Sequence, residues 1–226
     1  MVVGVVSPQD GVAYEHVAFD LDGTLIDSRA DLLGAVNHVL RTFALPEIDP
    51  VTLYGYVGDG ARTLVARALG AERRELVEPA LAEFMRYYGA HLLDATRPYA
   101  GIEPTLDALA ARGVALSVLT NKPEGLSRTI LAGLGLLPRF VGVVGGDSLP
   151  ARKPDPSGMD HLRSLTGTPA GRALLVGDSA IDFHTARAAG VAFCGVAWGL
   201  SPEGLRAAAP EHIVEHPAEI VTLVDA

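Results

Sequence analysis

The sequence predicts an α/β fold: a doubly wound, parallel-sheet, Rossmann-like core with a helical cap inserted after the first strand. Three observations carry this. Five short apolar runs each end in a small or polar residue. They lack the polar alternation of a half-exposed strand and suit strands buried on both faces of a parallel sheet. Helical patterns separate them, and such strand–helix alternation marks the doubly wound class. The alternation breaks once, between about Ser28 and Arg97, where the apolar spacing is helical and no strand is expected.

In chain order, the first run is HVAF, which ends at Asp20. The helical segment comes next. Leu32, Val36 and Leu40 recur at helical spacing with Phe43 behind them, and Leu64, Ala68, Leu81, Phe84, Met85 and Tyr88 indicate further helices. Pro46, Pro50 and the glycines around Gly58 punctuate that segment. Arg97-Pro98-Tyr99-Ala100-Gly101 leads back to the strand–helix rhythm. The remaining runs are ALSVL before Thr120, FVGVV before Gly145, ALLV before Gly177 and VAFCGVAW before Gly199. Expected helices span Glu103–Arg112, Pro123–Leu134, Pro156–Leu165, Ala180–Ala189 and Pro202–Ala209. The closing EHIVEHPAEIVTLVDA reads as a short strand and a helix. The core is therefore assigned to 1–28 and 98–226, and the helical cap to 29–97. Met1 to Val12 precede this pattern and are expected to form a flexible arm or an extra edge strand.

The totals bound the function. The 226 residues are 49% hydrophobic and 20% charged, which suits a globular chain with a substantial core. The single cysteine, Cys194, excludes an intrachain disulfide and sits in the apolar AFCGVAW, where a packing role is expected. Net charge is −9, and no basic run or aromatic-interleaved basic patch is present, which argues against a nucleic-acid partner. The apolar start, MVVGVVSPQDG, lacks the basic residues of a signal peptide, and no apolar stretch is long enough to span a bilayer. No membrane partner and a cytoplasmic location are expected.

Ligands of doubly wound folds bind at the carboxyl ends of the strands, so the residues there matter most. The first strand runs into Asp20-Leu21-Asp22-Gly23-Thr24, and alternate positions of an extended segment point the same way. Paired carboxylates persist where they share a proton, bind a cation or do acid–base work. An ordinary capped turn is the plain alternative. Asp178 ends the fourth run, and Asp182 falls in the first turn of the next helix; capping explains one of these acids better than two. Thr120-Asn121-Lys122 offers a hydroxyl and a backbone N–H at a helix entrance, suited to a phosphate oxygen or to simple capping. Of the 18 basic residues, only Lys122 and Lys153 are lysines, and Lys153 sits between prolines in PARKPDP. A compact ammonium on a flexible stem reaches into a cluster of carboxylates where a planar guanidinium would not. Together, these strand ends describe a divalent-cation site for phosphoryl transfer.

With these residues in place, the chain resembles the haloacid dehalogenase superfamily of phosphohydrolases. FDLDGTLIDS, LTNK, RKPDP and GDSAIDFHTARAAG correspond, in order, to its four motifs, and the resemblance covers nearly the whole chain. Within it, YVGDGARTLVARAL, RPYAGIEPTLDAL and TNKP are most similar to phosphoglycolate phosphatases. The resemblance implies a nucleophilic Asp20 that becomes an aspartyl-phosphate. It implies that Asp22 protonates the leaving alcohol and then deprotonates water. Thr120 and the Asn121 N–H would hold phosphoryl oxygens, and Lys153 would offset charge between Asp20 and the phosphoryl group. Mg2+ would bind the Asp20 and Asp178 carboxylates and the Asp22 carbonyl, with Asp182 behind them or acting through water. The second aspartate of DxD favours phosphate-ester hydrolysis over dehalogenation. The implied activity is Mg2+-dependent hydrolysis of a small phosphorylated metabolite, 2-phosphoglycolate first. Pyrophosphate, nucleotide or sugar-phosphate hydrolysis, or a sugar-phosphate mutase, stand as alternatives. The helical cap would close over the site, with Arg62, behind Gly58-Asp59-Gly60, as a partner for a substrate carboxylate. Lys122 is a second candidate, at the mouth. The histidines form no motif.

Overall fold

The computed structural model describes residues 14–200 and 202–224; the expectation for residues 1–12 lies outside them. The chain begins with β1 (His16–Phe19) and β2 (Ile26–Asp27). Four helices come next, α1 (Arg29–Thr42), α2 (Pro50–Tyr54), α3 (Ala61–Leu69) and α4 (Val77–Ala90), with a 3-10 segment, Ala71–Leu76, before the last. Then come β3 (Arg97–Pro98), α5 (Ile102–Ala111), β4 (Ala115–Leu119), α6 (Glu124–Gly133) and β5 (Gly142–Val144). The last part holds α7 (Ser157–Thr166), β6 (Ala173–Gly177), α8 (Ala180–Ala189) and β7 (Ala192–Val196). It ends with α9 (Pro202–Ala207), β8 (Ile213–Val214) and α10 (Ala218–Val224).

Six strands form one parallel sheet in the order β5-β4-β1-β6-β7-β8. The apolar runs lack alternation because both faces are covered. Val17, Phe19, Leu116, Val118, Leu174 and Val176 pack with Ile102, Leu106 and Leu109 of α5 and Ile130 of α6. The intervening Ala18, Leu119 and Leu175 point the other way, onto Met159 and Leu162 of α7, Ala186 of α8 and Leu205 of α9. Cys194 is fully buried in the first of these cores, and burial pushes its thiol up to about 12. β1 lies at the centre, so the residues at its carboxyl end are flanked by the ends of β4 and β6. The ladder continues one step, with Asp20 N–H donating to Val176 O (2.9 Å) and Thr120 N–H to Val144 O (2.9 Å).

The expectation of no strand between Ser28 and Arg97 holds inside that segment, but a small pair brackets it. β2 and β3 are antiparallel, with Ile26 opposite Pro98 and Asp27 opposite Arg97. The two crossings between the sheet and the α1–α4 helices therefore run side by side. Asp31, buried in the first turn of α1, accepts from Ala95 N (2.9 Å), Thr96 N (2.8 Å) and Thr96 Oγ1 (2.6 Å). Helix α2 is an addition to the expected elements; Asp49 caps it by accepting from Thr52 N (3.0 Å). Leu53, Leu64, Leu69, Phe84 and Tyr88 give these helices a shared interior that is continuous with one face of the sheet core. Among the described residues, no helix is long and apolar enough to cross a membrane.

Candidate active site

Asp20 and Asp22 stand where β1 leaves the sheet. Gly23 turns the chain at φ +86°, and a Cβ there would lie 2.3 Å from Asp178 Oδ2. From the other side, a Cβ on Gly199 would lie 2.1 Å from Asp178 Cβ. Both positions are glycine because the backbone approaches Asp178 too closely for a side chain, and Gly23 also needs the left-handed region. Leu200 N–H donates to Asp178 Oδ2 (2.6 Å), which fixes that carboxylate from the β7 side.

Asp182 lies on α8 and is fully buried. It forms a capping box with Ser179, each side chain bonding the other's backbone N–H. Its Oδ1 also accepts from Lys153 Nζ at 2.5 Å. The same ammonium lies 2.8 Å from Asp20 Oδ1. Burial pulls Lys153 toward neutrality, but the charges of Asp182 and Asp20 outweigh it and raise its pKa.

Oxygens of Asp20, Asp178 and Asp182 all lie within 4.8 Å of one another, and all three residues are buried. Among these groups, three carboxylates face one ammonium. Burial, then Asp20 and Asp182, push Asp178 well above the ordinary carboxylate range; the Leu200 N–H offsets this only in part. The surplus of hard oxygen donors, crowded and dehydrated, fits an oxygen-preferring divalent cation.

Thr120 and Asn121 follow β4 directly, beside this cluster. Lys122 N–H donates to Thr120 Oγ1 (3.2 Å), which leaves the hydroxyl proton to donate elsewhere. Asn121 Nδ2 donates to Gly58 O (3.0 Å) and Lys153 O (3.1 Å), tying the helical segment and the Lys153 loop together. Its Oδ1 is buried with no hydrogen-bond partner among the described residues.

One sequence expectation needs correction and a second is refined. Arg62 is exposed on α3, donating through Nε (2.9 Å) and Nη2 (2.6 Å) to Glu78 Oε1 of α4. It is absent from the cavity lining. Lys122, a candidate at the mouth, lines the cavity and is buried. Its Nζ lies 3.0 Å from each oxygen of Asp22 and 2.7 Å from Tyr88 Oη. Here too burial lowers the lysine's pKa, while Asp22 and then Tyr88 raise it by more. Ser28 Oγ completes the group by donating to Asp22 Oδ1 (2.5 Å). Tyr88 and Ser28 were not legible as site residues, because Tyr88 follows the same apolar spacing as its core neighbours on α4. The available signal was the rarity of lysine: both lysines of this chain are buried at the site.

A cavity connects these groups. Asp20, Asp22, Thr120, Asn121, Lys122 and Asp178 line it, together with the apolar Leu32, Leu64, Phe84 and Leu126 and with Tyr88. Buried carboxylates, an ammonium between two of them and a hydroxyl at a strand end can together hold and attack a small anionic ester.

A family model described as haloacid dehalogenase-like hydrolase matches residues 17–196. A phosphoglycolate phosphatase of Rhodospirillum rubrum is 43% identical over 195 residues, covering 83% of this chain and 81% of that one. One from Neisseria gonorrhoeae is 41% identical over 195 residues, covering 83% of each chain. Among solved structures, a predicted phosphoglycolate phosphatase from Haemophilus somnus superposes with a TM-score of 0.88 at 32% identity, covering 93% of this chain and 97% of that one.

Proposed function

The chain belongs to the haloacid dehalogenase-like hydrolases, and from that premise we propose that it hydrolyses 2-phosphoglycolate to glycolate and inorganic phosphate. The observation that carries the chemistry is the Asp20 carboxylate beside the Lys153 ammonium at 2.8 Å, at the end of the central strand. The substrate assignment is supported by the names of the relatives.

In the first half-reaction, an Asp20 oxygen attacks phosphorus. The bond from phosphorus to the glycolate oxygen breaks, and Asp22 gives its proton to that oxygen. In the second, Asp22 takes a proton from water. The water oxygen attacks the aspartyl-phosphate, and phosphate leaves with Asp20 restored. Lys153 offsets the repulsion between the attacking carboxylate and the phosphoryl oxygens, and the Thr120 hydroxyl and Asn121 N–H orient those oxygens. Mg2+ held by Asp20, Asp178 and the Asp22 carbonyl, with Asp182 behind them, would supply further charge neutralisation during transfer. Residues 29–97 act as a cap that excludes water from the transfer.

The test is phosphate release with and without Mg2+ from 2-phosphoglycolate, sugar phosphates, nucleotides and pyrophosphate. Mg2+-dependent activity should be highest on 2-phosphoglycolate and fall roughly a thousandfold or more in Asp20→Asn. Broad activity without preference for 2-phosphoglycolate would overturn the substrate assignment. Undiminished turnover in Asp20→Asn would overturn the mechanism.

A further inference from the structure

We infer that Lys122 and Tyr88 together recognise a carboxylate on the leaving group, with Lys122 shared between that carboxylate and Asp22; this rests on the phosphoglycolate reading above. Among the described residues lining the cavity, Lys122 is the only cationic side chain. It is also the neighbour of the proposed acid. In a phosphorylated 2-hydroxy acid, the carboxylate carbon lies two bonds from the ester oxygen, so its oxygens fall within roughly 3–4 Å of that oxygen. The group that protonates the ester oxygen and the group that binds the carboxylate must therefore be adjacent, and Asp22 and Lys122 are, at 3.0 Å.

The ammonium can turn without stranding Asp22. Its three protons serve the two Asp22 oxygens and Tyr88 Oη, but Asp22 Oδ1 also accepts from Ser28 Oγ (2.5 Å). One N–H can leave Oδ1 for a substrate oxygen while Oδ2 keeps Lys122 and Oδ1 keeps Ser28. Tyr88 positions the ammonium, with Nζ 4.7 Å from the ring centroid as well as bonded to the hydroxyl. Because Lys122 donates to Tyr88 Oη, the phenol's own proton is left to donate. Burial pushes that phenol up to about 12, so the proton is retained at neutral pH. One carboxylate oxygen would meet Lys122 and the other Tyr88. The apolar part of the lining, Leu32, Leu64, Phe84 and Leu126, strengthens both bonds by excluding water. Tyr88 belongs to α4 and Lys122 lies just beyond β4, so the subsite is complete only when the helical segment lies on the core.

The test compares kcat/KM for 2-phosphoglycolate and for 2-hydroxyethyl phosphate, which replaces the carboxylate with a neutral CH2OH. In wild type the ratio should favour 2-phosphoglycolate by about 10- to 100-fold. Lys122→Gln lowers both rates, because Asp22 loses a partner, but the ratio should collapse toward one. Tyr88→Phe keeps the ring and the packing, and should lower the ratio about three- to tenfold, mainly through KM for 2-phosphoglycolate. A wild-type ratio near one would defeat the phosphoglycolate reading itself. A high wild-type ratio retained in both variants would leave that reading intact and overturn the inference. If Lys122→Gln does not fold, an unchanged ratio in Tyr88→Phe overturns it alone.

Discussion

Lys153 has an ammonium within 2.5 Å of Asp182 and 2.8 Å of Asp20, and is almost wholly buried. A guanidinium is wider and planar, and cannot fill this gap without moving one of the acids. Lys153→Arg should therefore keep the positive charge and still lose roughly 100-fold or more in kcat, read from steady-state phosphate release. Arg62→Ala should change kcat/KM by less than about threefold, since its exposed pair with Glu78 lies off the cavity and surface pairs contribute little. These two residues differ in how far the sequence reveals them. Lys153 was legible because two prolines and a rare residue type marked it. The sequence does not place Arg62 off the cavity, because position behind a glycine loop does not reveal which way a long exposed side chain leans. His16 gives a separate test away from the site. It is buried with Nε2 2.7 Å from Ser117 Oγ, and burial, with Arg163 nearby, lowers its pKa to about 4. The unfolded chain then binds the His16 proton first, near the ordinary value of about 6.5. Between there and pH 4, its contribution to stability falls as the pH falls. An NMR titration should place the His16 midpoint near 4; a midpoint near 6.5 would contradict the buried, neutral imidazole.

Each element at the site does local work that can be measured. The Ser179–Asp182 box starts α8 and also holds Asp182 toward Lys153. Ser179→Ala should cost about 1 kcal/mol in urea unfolding. Asp31 joins α1 to the returning strand through three donors, and Asp31→Ala leaves those N–H and O–H groups unpaired. A loss of about 2–3 kcal/mol is expected by the same method. The sequence showed α1, α4 and the core helices clearly, since ten or more residues repeat their apolar spacing enough to be seen. It could not show α2, whose five residues complete little more than one turn. Nor could it show β2 and β3, whose two residues each carry no period and pair across about 70 residues of intervening chain.

At the scale of the whole molecule, the sheet order explains why distant motifs meet. Placing β1 between β4 and β6 brings Asp20, Thr120 and Asp178 to one edge, although they are about 100 and 160 residues apart in the chain. That convergence was legible in advance, because parallel strands put all their carboxyl ends on the same side. The closing contacts of the helical segment were not: Tyr88 on Lys122, and Gly58 O on Asn121, join elements whose mutual placement no local pattern encodes. If this edge works as proposed, Asp20 carries a covalent phosphoryl group in turnover. Acid quench of wild-type enzyme within a single turnover of phosphorus-labelled 2-phosphoglycolate and Mg2+, with peptide mapping of the quenched chain, would detect it. Label is expected on the peptide that contains Asp20, and none in Asp20→Asn. Full-rate phosphate release with no label on Asp20 at any quench time would contradict a covalent intermediate there.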